Sequence, residues 1–380
     1  MLRKSALLLT CYRAAQWLYL LGGDINNKMI TKHSFSKVWY RFLVLSFALG
    51  LFFSATVTAQ PVQGKDCYSR VFEEKVVGHS LANAYLLMYA AHNTYENRID
   101  VANFLEFKKR FREIFEPLGI DRFDFIDIRA KTADTQAVVM SNDKLVIVAF
   151  RGSESSKNKK FSPTRFAYDW LLTDLNFFKK RILWWGWGVK VHRGLYNAME
   201  VAYDDLKKYV DSHMAGTPKR LWITGHSLGA GIAPLAASRL ADDGISVQGI
   251  YTYAGPRIGN DDFVKAFKKR FPDMQRWVFD NDLVSKLPFK VMKFQHCAPP
   301  NNIYADGRLV LADGEMRGPG KARSHAPGMY LQKIYDLLPL DLKAVVPAPP
   351  GLVNDAGIAD AELERQFNGA EQTAEESTGK

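Results

Sequence analysis

Cysteine is scarce: the 380 residues hold three, at Cys11, Cys67 and Cys297. So few, so far apart, cannot supply a structural zinc site, and no H-E-x-x-H motif is present to build a catalytic one. A glycine-rich loop ending in Lys-Ser or Lys-Thr, which would cradle phosphates, is missing as well. No stretch repeats at a fixed period, which sets aside solenoids and propellers. Acidic residues are outnumbered, 40 against 51 basic, for a net charge of +11. No recognised nucleic-acid-binding motif accompanies that surplus. What is present is an ordinary globular composition, 47% hydrophobic and 24% charged with 27 Gly and 16 Pro, neither disordered nor fibrous. Neither a metal nor a cofactor is expected.

The start of the chain stands apart. Lys32, Lys37 and Arg41 precede FLVLSFALGLFFSATVTA (residues 42–59), an apolar run without a charge. Val57 and Ala59 set small residues just before Gln60, as a signal-peptidase site needs. Met29 opens this unit and is a candidate start, which would make residues 1–28, interrupted by Arg13, an extension. A signal anchor is the rival reading, because the run is near the lower length limit for a membrane span. The expectation is an exported protein, periplasmic or secreted; the alternative is one held to the membrane by an uncleaved segment. Export would leave Cys67 and Cys297 in an oxidising compartment, which permits a bridge between them; two buried thiols are the rival.

The charge is unevenly spread. Residues 1–59 carry seven basic and one acidic residue, and residues 341–380 carry three basic and eight acidic, which leaves the middle at +10. Lys108-Lys109-Arg110, Lys179-Lys180-Arg181 and Lys268-Lys269-Arg270 supply much of it. A basic exported body favours anionic lipid surfaces, although for any single cluster the reading as scattered solvated side chains comes first.

Pattern then divides the chain. HSLANAYLLMYAAHNTYE (79–96) reads as an amphipathic helix, and VANFLEFKKRFREIF (101–115) as a second helix stopped before Pro117. AVVMSNDKLVIVAFRGS (137–153) holds two β-rich runs around Ser141, Asn142 and Asp143, a hairpin pattern. Residues 194–214 are helical in period, VQGIYTYAG (247–255) and QRWVF (275–279) read as strands, and residues 302–314 as a hairpin turning at Asp306-Gly307. Strands alternating with helices imply an α/β fold with a mostly parallel sheet and antiparallel additions. Residues 60–340 form the expected domain. Residues 341–380, opening on VPAPPG and nearly free of aromatics, read as a linker and an acidic disordered tail.

The densest signal is LWITGHSLGAGIAPLAASRL (221–240). It passes from a buried strand into a helix of small residues through Ser227, flanked by Gly225 and Gly229. A serine on so sharp a turn is exposed at the sheet edge, and glycines on either side relieve the crowding; the helix start directs its positive end at the hydroxyl. A bare G-x-S-x-G arises by chance in roughly one chain in ten of this length, so the strand-and-helix context carries the weight. In such elbows an acid and then a histidine follow the serine along the chain. Of the eight histidines, only His296 and His325 lie beyond the aspartates of FDNDLVSKLP (279–288).

Together, GHSLGA (225–230), YAGPRIGN (253–260), NDLVSKLP (281–288), AFRGS (149–153), DWLLTDL (169–175) and VHRGLYNA (191–198) resemble the class 3, fungal-type lipases of the α/β-hydrolase superfamily. The blocks run in family order over about half the chain. The resemblance implies the α/β-hydrolase fold, a central sheet flanked by helices with a lid segment over the site. It implies Ser227 as nucleophile, Asp282 as triad acid, and His325, in SHAPGMY at the head of the last helix, as base. His296 falls where the family has a non-catalytic histidine. The oxyanion donors would be the N–H of Leu228 and Ser153, through its N–H and hydroxyl. The implied activity is hydrolysis of lipid esters through an acyl-enzyme. The alternatives are a phospholipase A1, a feruloyl-type esterase, or an inactive lipid-binding relative.

Between AFRGS and DWLLTDL the chain departs from the family pattern with ESSKNKKFSPTRFAY (154–168). Asp169 and Trp170 follow, then FFKKRILWWGWG (177–188) with Trp184, Trp185 and Trp187. Indole rings favour membrane–water interfaces and the neighbouring lysines favour anionic headgroups. A lid over about 155–187 that opens at a lipid surface is therefore expected, the rival being tryptophans packed beneath it. The expected partners are a lipid ester and a lipid–water interface; no oligomeric state is implied.

Overall fold

The computed structural model of the chain describes residues 64–95, 101–130, 134–152, 179–182, 185–350 and 361–376. The expected signal or anchor (42–59), the candidate start at Met29, the insert 154–168, and Ser153, Asp169, Trp170 and Trp184 lie outside the described residues.

In chain order the first elements are helices α1 (Cys67–Arg70), α2 (Leu81–Asn93) and α3 (Val101–Phe115), followed by strands β1 (Arg122–Arg129), β2 (Asp134–Ser141) and β3 (Leu145–Phe150). A two-stranded ribbon, β4 (Lys179–Arg181) and β5 (Lys190–His192), leads into α4 (Arg193–Met214). Then β6 (Arg220–His226), α5 (Leu228–Asp242), β7 (Val247–Tyr253), α6 (Asp261–Arg270) and β8 (Gln275–Phe279) alternate. The chain continues through β9 (Pro300–Ile303), β10 (Leu309–Val310), α7 (Pro327–Leu337), α8 (Leu340–Val345) and α9 (Ala361–Glu376).

The main sheet has eight strands in the order β1-β2-β3-β6-β7-β8-β9-β10. Its centre, β3-β6-β7-β8-β9, is parallel. The two predicted hairpins, β2–β3 and β9–β10, form antiparallel edges, and β1 extends one of them. Parallel strands must be covered on both faces, so their sequences run apolar instead of alternating. In β3, Leu145, Ile147 and Ala149 join a core shared with α2, α3 and α7, while Val146, Val148 and Phe150 join one shared with α4, α5 and α6. One β-strand sequence thus feeds two cores, and this is the α/β-hydrolase arrangement.

Three expectations need correction. The segment read as an amphipathic helix, α2, is buried nearly all round. It lies inside the first core, and the hydroxyls around it are satisfied by carbonyls: Tyr68 Oη donates to Leu86 O at 2.6 Å and Tyr253 Oη to Ala84 O at 2.5 Å. The acidic tail is helical over α9, where Ala, Glu and Gln favour a helix. Ala370 packs beside Leu283, Val284 and Leu287, Asn368 Oδ1 accepts from Gly320 N at 2.8 Å, and Glu371 lies 3.9 Å from Lys286. Cys67 and Cys297 are free and buried, one in each core, with the sheet between them, so they form no bridge. Burial pushes the Cys67 thiol up to about 12 and the Cys297 thiol upward too. The basic clusters also resolve into local roles: Lys268, Lys269 and Arg270 form the last turn of α6, complementing its dipole. Lys179 and Lys180 lie over the rings of Phe294 and Tyr196. Among the described residues no helix is long and apolar enough to cross a membrane.

His192 caps α4, its Nδ1 accepting from Leu195 N at 3.3 Å, which requires the neutral ring. Burial lowers both His192 and His92 from 6.5 to about 4. An unfolded histidine takes up its proton near pH 6.5. The folded ones do so only near 4, so stability is full above pH 6.5 and falls as pH drops through that window. Urea midpoints measured at pH 7.5 and 5 should differ accordingly, and His192→Asn, which retains a capping oxygen, should shrink the difference. An unchanged midpoint would contradict the neutral burial of these rings.

Candidate active site

The site is built where β6 ends. Ser227 sits at φ 59°, ψ −123°, a left-handed turn inserted between a buried strand and the first residue of α5. Its N–H donates to Tyr253 O on the adjacent strand at 3.0 Å. The flanking glycines have a steric cause. A Cβ on Gly225 would lie 2.4 Å from the carbonyl carbon of Gly229, and one on Gly229 would lie 2.4 Å from Phe150 O at the end of β3. The helix therefore begins in contact with two strand ends. Leu228, its first residue, has one of the amides that an α-helix leaves without an intrahelical acceptor.

Two distant segments meet Ser227. His325 ends a short turn held ahead of α7, where Pro327 starts the helix. Its Nε2 is 2.8 Å from Ser227 Oγ, and its Nδ1 lies 3.0 and 3.1 Å from the two carboxylate oxygens of Asp282. Because a carboxylate only accepts, the Nδ1 carries the proton and Nε2 is left to accept from the serine. Asp282 is fully buried on the loop after β8. It accepts further from Val284 N at 2.9 Å and from Tyr330 Oη at 2.7 Å. Tyr330 Oη in turn accepts from Phe279 N at 3.0 Å, so its own proton is directed at Asp282. Burial, then the Asp282 charge, holds that phenol protonated far above its usual range. A hydroxyl, a neutral imidazole and a carboxylate thus stand in line, as proton abstraction from a serine requires.

His296 is placed elsewhere. Its Nε2 donates to Ser285 O at 2.8 Å, and burial, reinforced by Arg276 and Arg257, lowers it well below the ordinary histidine value. It braces the Asp282 loop and does not reach Ser227. Two neighbours were not anticipated. His226, beside the serine, has its ring 4.9 Å from the His325 ring and tilted 36° to it, and its Nδ1 is 2.8 Å from Tyr95 Oη. Burial, then His325, drives it neutral. Tyr95 occupies the space over Gly152, where a Cβ would collide with its hydroxyl. The histidine of GHSLGA was visible as a motif position; Tyr95 carried no such signal.

The tryptophans separate. Trp185 Nε1 donates to Asp242 at 2.7 Å, its ring stacks on Phe263 and Arg270 covers it. It is tied to the body of the protein, which corrects its assignment to an interface. Trp187 is 82% exposed and remains available.

A second Ser-His-Asp chain shows what matters. His213 is 2.8 Å from Ser141 Oγ and 2.9 Å from Asp124 Oδ2. Ser141 ends an ordinary strand and is buried, with no left-handed turn and no helix start behind it. The two chains share their connectivity; the elbow under Ser227 sets them apart.

A class 3 lipase family model matches residues 147–292. The secreted mono- and diacylglycerol lipase A of Penicillium cyclopium is 28% identical over 213 residues, 54% of this chain and 65% of that protein. The secreted mono- and diacylglycerol lipase 1 of Fusarium solani is 32% identical over 158 residues, 41% of this chain and 43% of that one. The chain thus spans less than two thirds of the length of these relatives. A solved fungal lipase superposes with a TM-score of 0.50 and 22% identity, covering 68% of this chain and 98% of that one, a likeness of fold. Over residues 147–292 the chain is similar to the class 3 lipases, and its fold is that of the α/β-hydrolases.

Tyr330→Phe removes a donor to a buried carboxylate and the acceptor of Phe279 N–H. It should destabilise the fold by about 1–3 kcal/mol, read as a lower urea midpoint at unchanged slope. A neutral substitution would mean that Asp282 is held without it.

Proposed function

We propose that the protein is a serine hydrolase that cleaves carboxylic esters of lipids. The observation that carries this is the Ser227–His325–Asp282 chain, with distances of 2.8 and 3.0 Å, standing on the left-handed elbow. Ser227 Oγ attacks the ester carbonyl while His325 Nε2 takes its proton; Asp282 holds the ring in the productive tautomer. Collapse expels the alcohol, protonated by His325, and leaves an acyl-enzyme that water releases by the same steps. Leu228 N–H, at the helix start, supplies one oxyanion donor and Ser153 the other. His226, kept neutral by burial, places no positive charge beside the imidazolium that forms on His325.

Lipid esters as substrates are supported by the match of residues 147–292 to the class 3 lipase model and by the mono- and diacylglycerol lipases among the relatives. Those relatives are secreted, which with the apolar run at 42–59 supports export. The exposed Trp187 supports contact with a lipid surface.

Ser227→Ala and His325→Ala should each leave a folded protein with ester turnover lowered by about three orders of magnitude or more. His296→Ala should act through stability. An active Ser227→Ala enzyme, or a His296 dependence in place of His325, would reject the assignment. Triglyceride, diglyceride, phospholipid and short soluble esters offered side by side give the substrate class; phospholipid as the preferred substrate would replace the glyceride reading with a phospholipase A1.

Activity should also rise as substrate passes into aggregates, and Trp187→Ala should lower that rise while sparing a short soluble ester. Indifference to both aggregation and Trp187 would mark a plain esterase.

A further inference from the structure

The face of β8 and β9 that continues the second core opens onto a cavity. Arg276 and Val278 on β8 stand in register with Pro300 and Asn302 on β9, and these four residues line a cavity of about 960 Å³. Residues 314–319 and α9 form its other walls. A strand side chain on such a face is ordinarily apolar; here it is an arginine, 3% exposed. Arg276 Nε donates to Ala298 O at 2.9 Å, the one hydrogen bond its guanidinium makes among the described residues.

The charges around it are unequal. The lining carries Arg257, Arg276, Lys286, Lys290 and Arg317 against Asp280, Glu315 and Glu371. Each carboxylate is already engaged: Asp280 with Lys321 at 2.8 Å, Glu315 with Arg257 at 2.7 Å, Glu371 with Lys286 at 3.9 Å. Among the described residues Arg276, Lys290 and Arg317 make no direct ion pair; the Glu315 carboxylate, held by Arg257, acts on Arg276 and Lys290 at longer range. A buried guanidinium is stabilised by a bidentate oxyanion, whose geometry its fork matches. The remaining wall is apolar, from Val278, Phe289, Val291 and Met316. The volume is that of a small-molecule site.

We infer that this cavity binds an anionic amphiphile, a carboxylate or phosphate monoester head on Arg276 with its short chain against Val278 and Phe289. None of Ser227, His325 and Asp282 lines it, so it is a site apart from the triad. It does share Asn281 and Ser285 with the Asp282 loop, and Ser285 Oγ donates to Asp282 O at 2.7 Å.

Titration calorimetry on the full chain, with decanoate, decyl phosphate, decanol and inorganic phosphate below their aggregation limits, tests it. Decanoate or decyl phosphate should give a saturable event of one per chain, and the stronger of the two identifies the head. Arg276→Gln should weaken it about tenfold or more, the loss of one hydrogen bond to a charged group, with folding checked by thermal melting. If that buried change unfolds the chain, Lys290→Glu with Arg317→Glu, at exposed positions, should weaken it in the same direction. An event retained at the catalytic site would persist in all variants and is not the one assigned here. Absence of binding, affinity unchanged in the folded variants, decanol as tight as the anions, or inorganic phosphate as tight as decyl phosphate would each overturn the proposal.

Discussion

Everything at the site depends on how closely α5 approaches the end of β3. The glycine at 229 lets a helix backbone rest against the carbonyls of Phe150 and Arg151, and a single Cβ there would end the contact. That approach forces the chain between β6 and α5 into a left-handed turn, a conformation an ordinary residue resists by roughly 1–3 kcal/mol. Ser227 bears the strain, and in return its hydroxyl and the amide of Leu228 emerge together at the sheet edge. The contrast with Ser141 is instructive, because that serine has a histidine and an aspartate at similar distances and lacks this turn and the helix start behind it.

Around the elbow the protein keeps its polar groups buried but neutral or fully satisfied. Burial lowers His226 and His296 well below the usual histidine value. The Asp282 carboxylate receives bonds from His325, Tyr330 and Val284. A low-dielectric surround strengthens each of these bonds and makes an unmade one expensive. The Asp282 loop is in turn held from outside, by His296 on Ser285 and by α9 packing over Leu283 and Leu287. The C-terminal helix is therefore part of the scaffold of the Asp282 loop, and the cavity lies in the same neighbourhood, walled by residues 314–319 and α9.

Much of this was legible in residue order. Runs such as LVIVAF and LWIT announce a doubly covered parallel sheet because both faces must be apolar, and G-H-S-L-G announces the turn because only glycine tolerates the crowding on either side. The serine, the histidine at 325 and the aspartate at 282 could be named from motif order and family resemblance. These are constraints that act over a few residues, and local sequence records them.

What the sequence did not decide depends on distant partners. Two cysteines suited a bridge, but the sheet stands between them; their separation is a property of topology. An acidic, aromatic-poor segment fitted a disordered tail, but α9 gains its order from Ala370 and Asn368 meeting the body. Three neighbouring tryptophans suited an interface, but Trp185 is committed to Asp242 and Phe263, each more than fifty residues away in the chain. Periodicity fixes which residues seek burial and in what element. Which side chain faces which, and so which charge stays unpaired and which histidine reaches the serine, is decided only when segments far apart in the chain pack together.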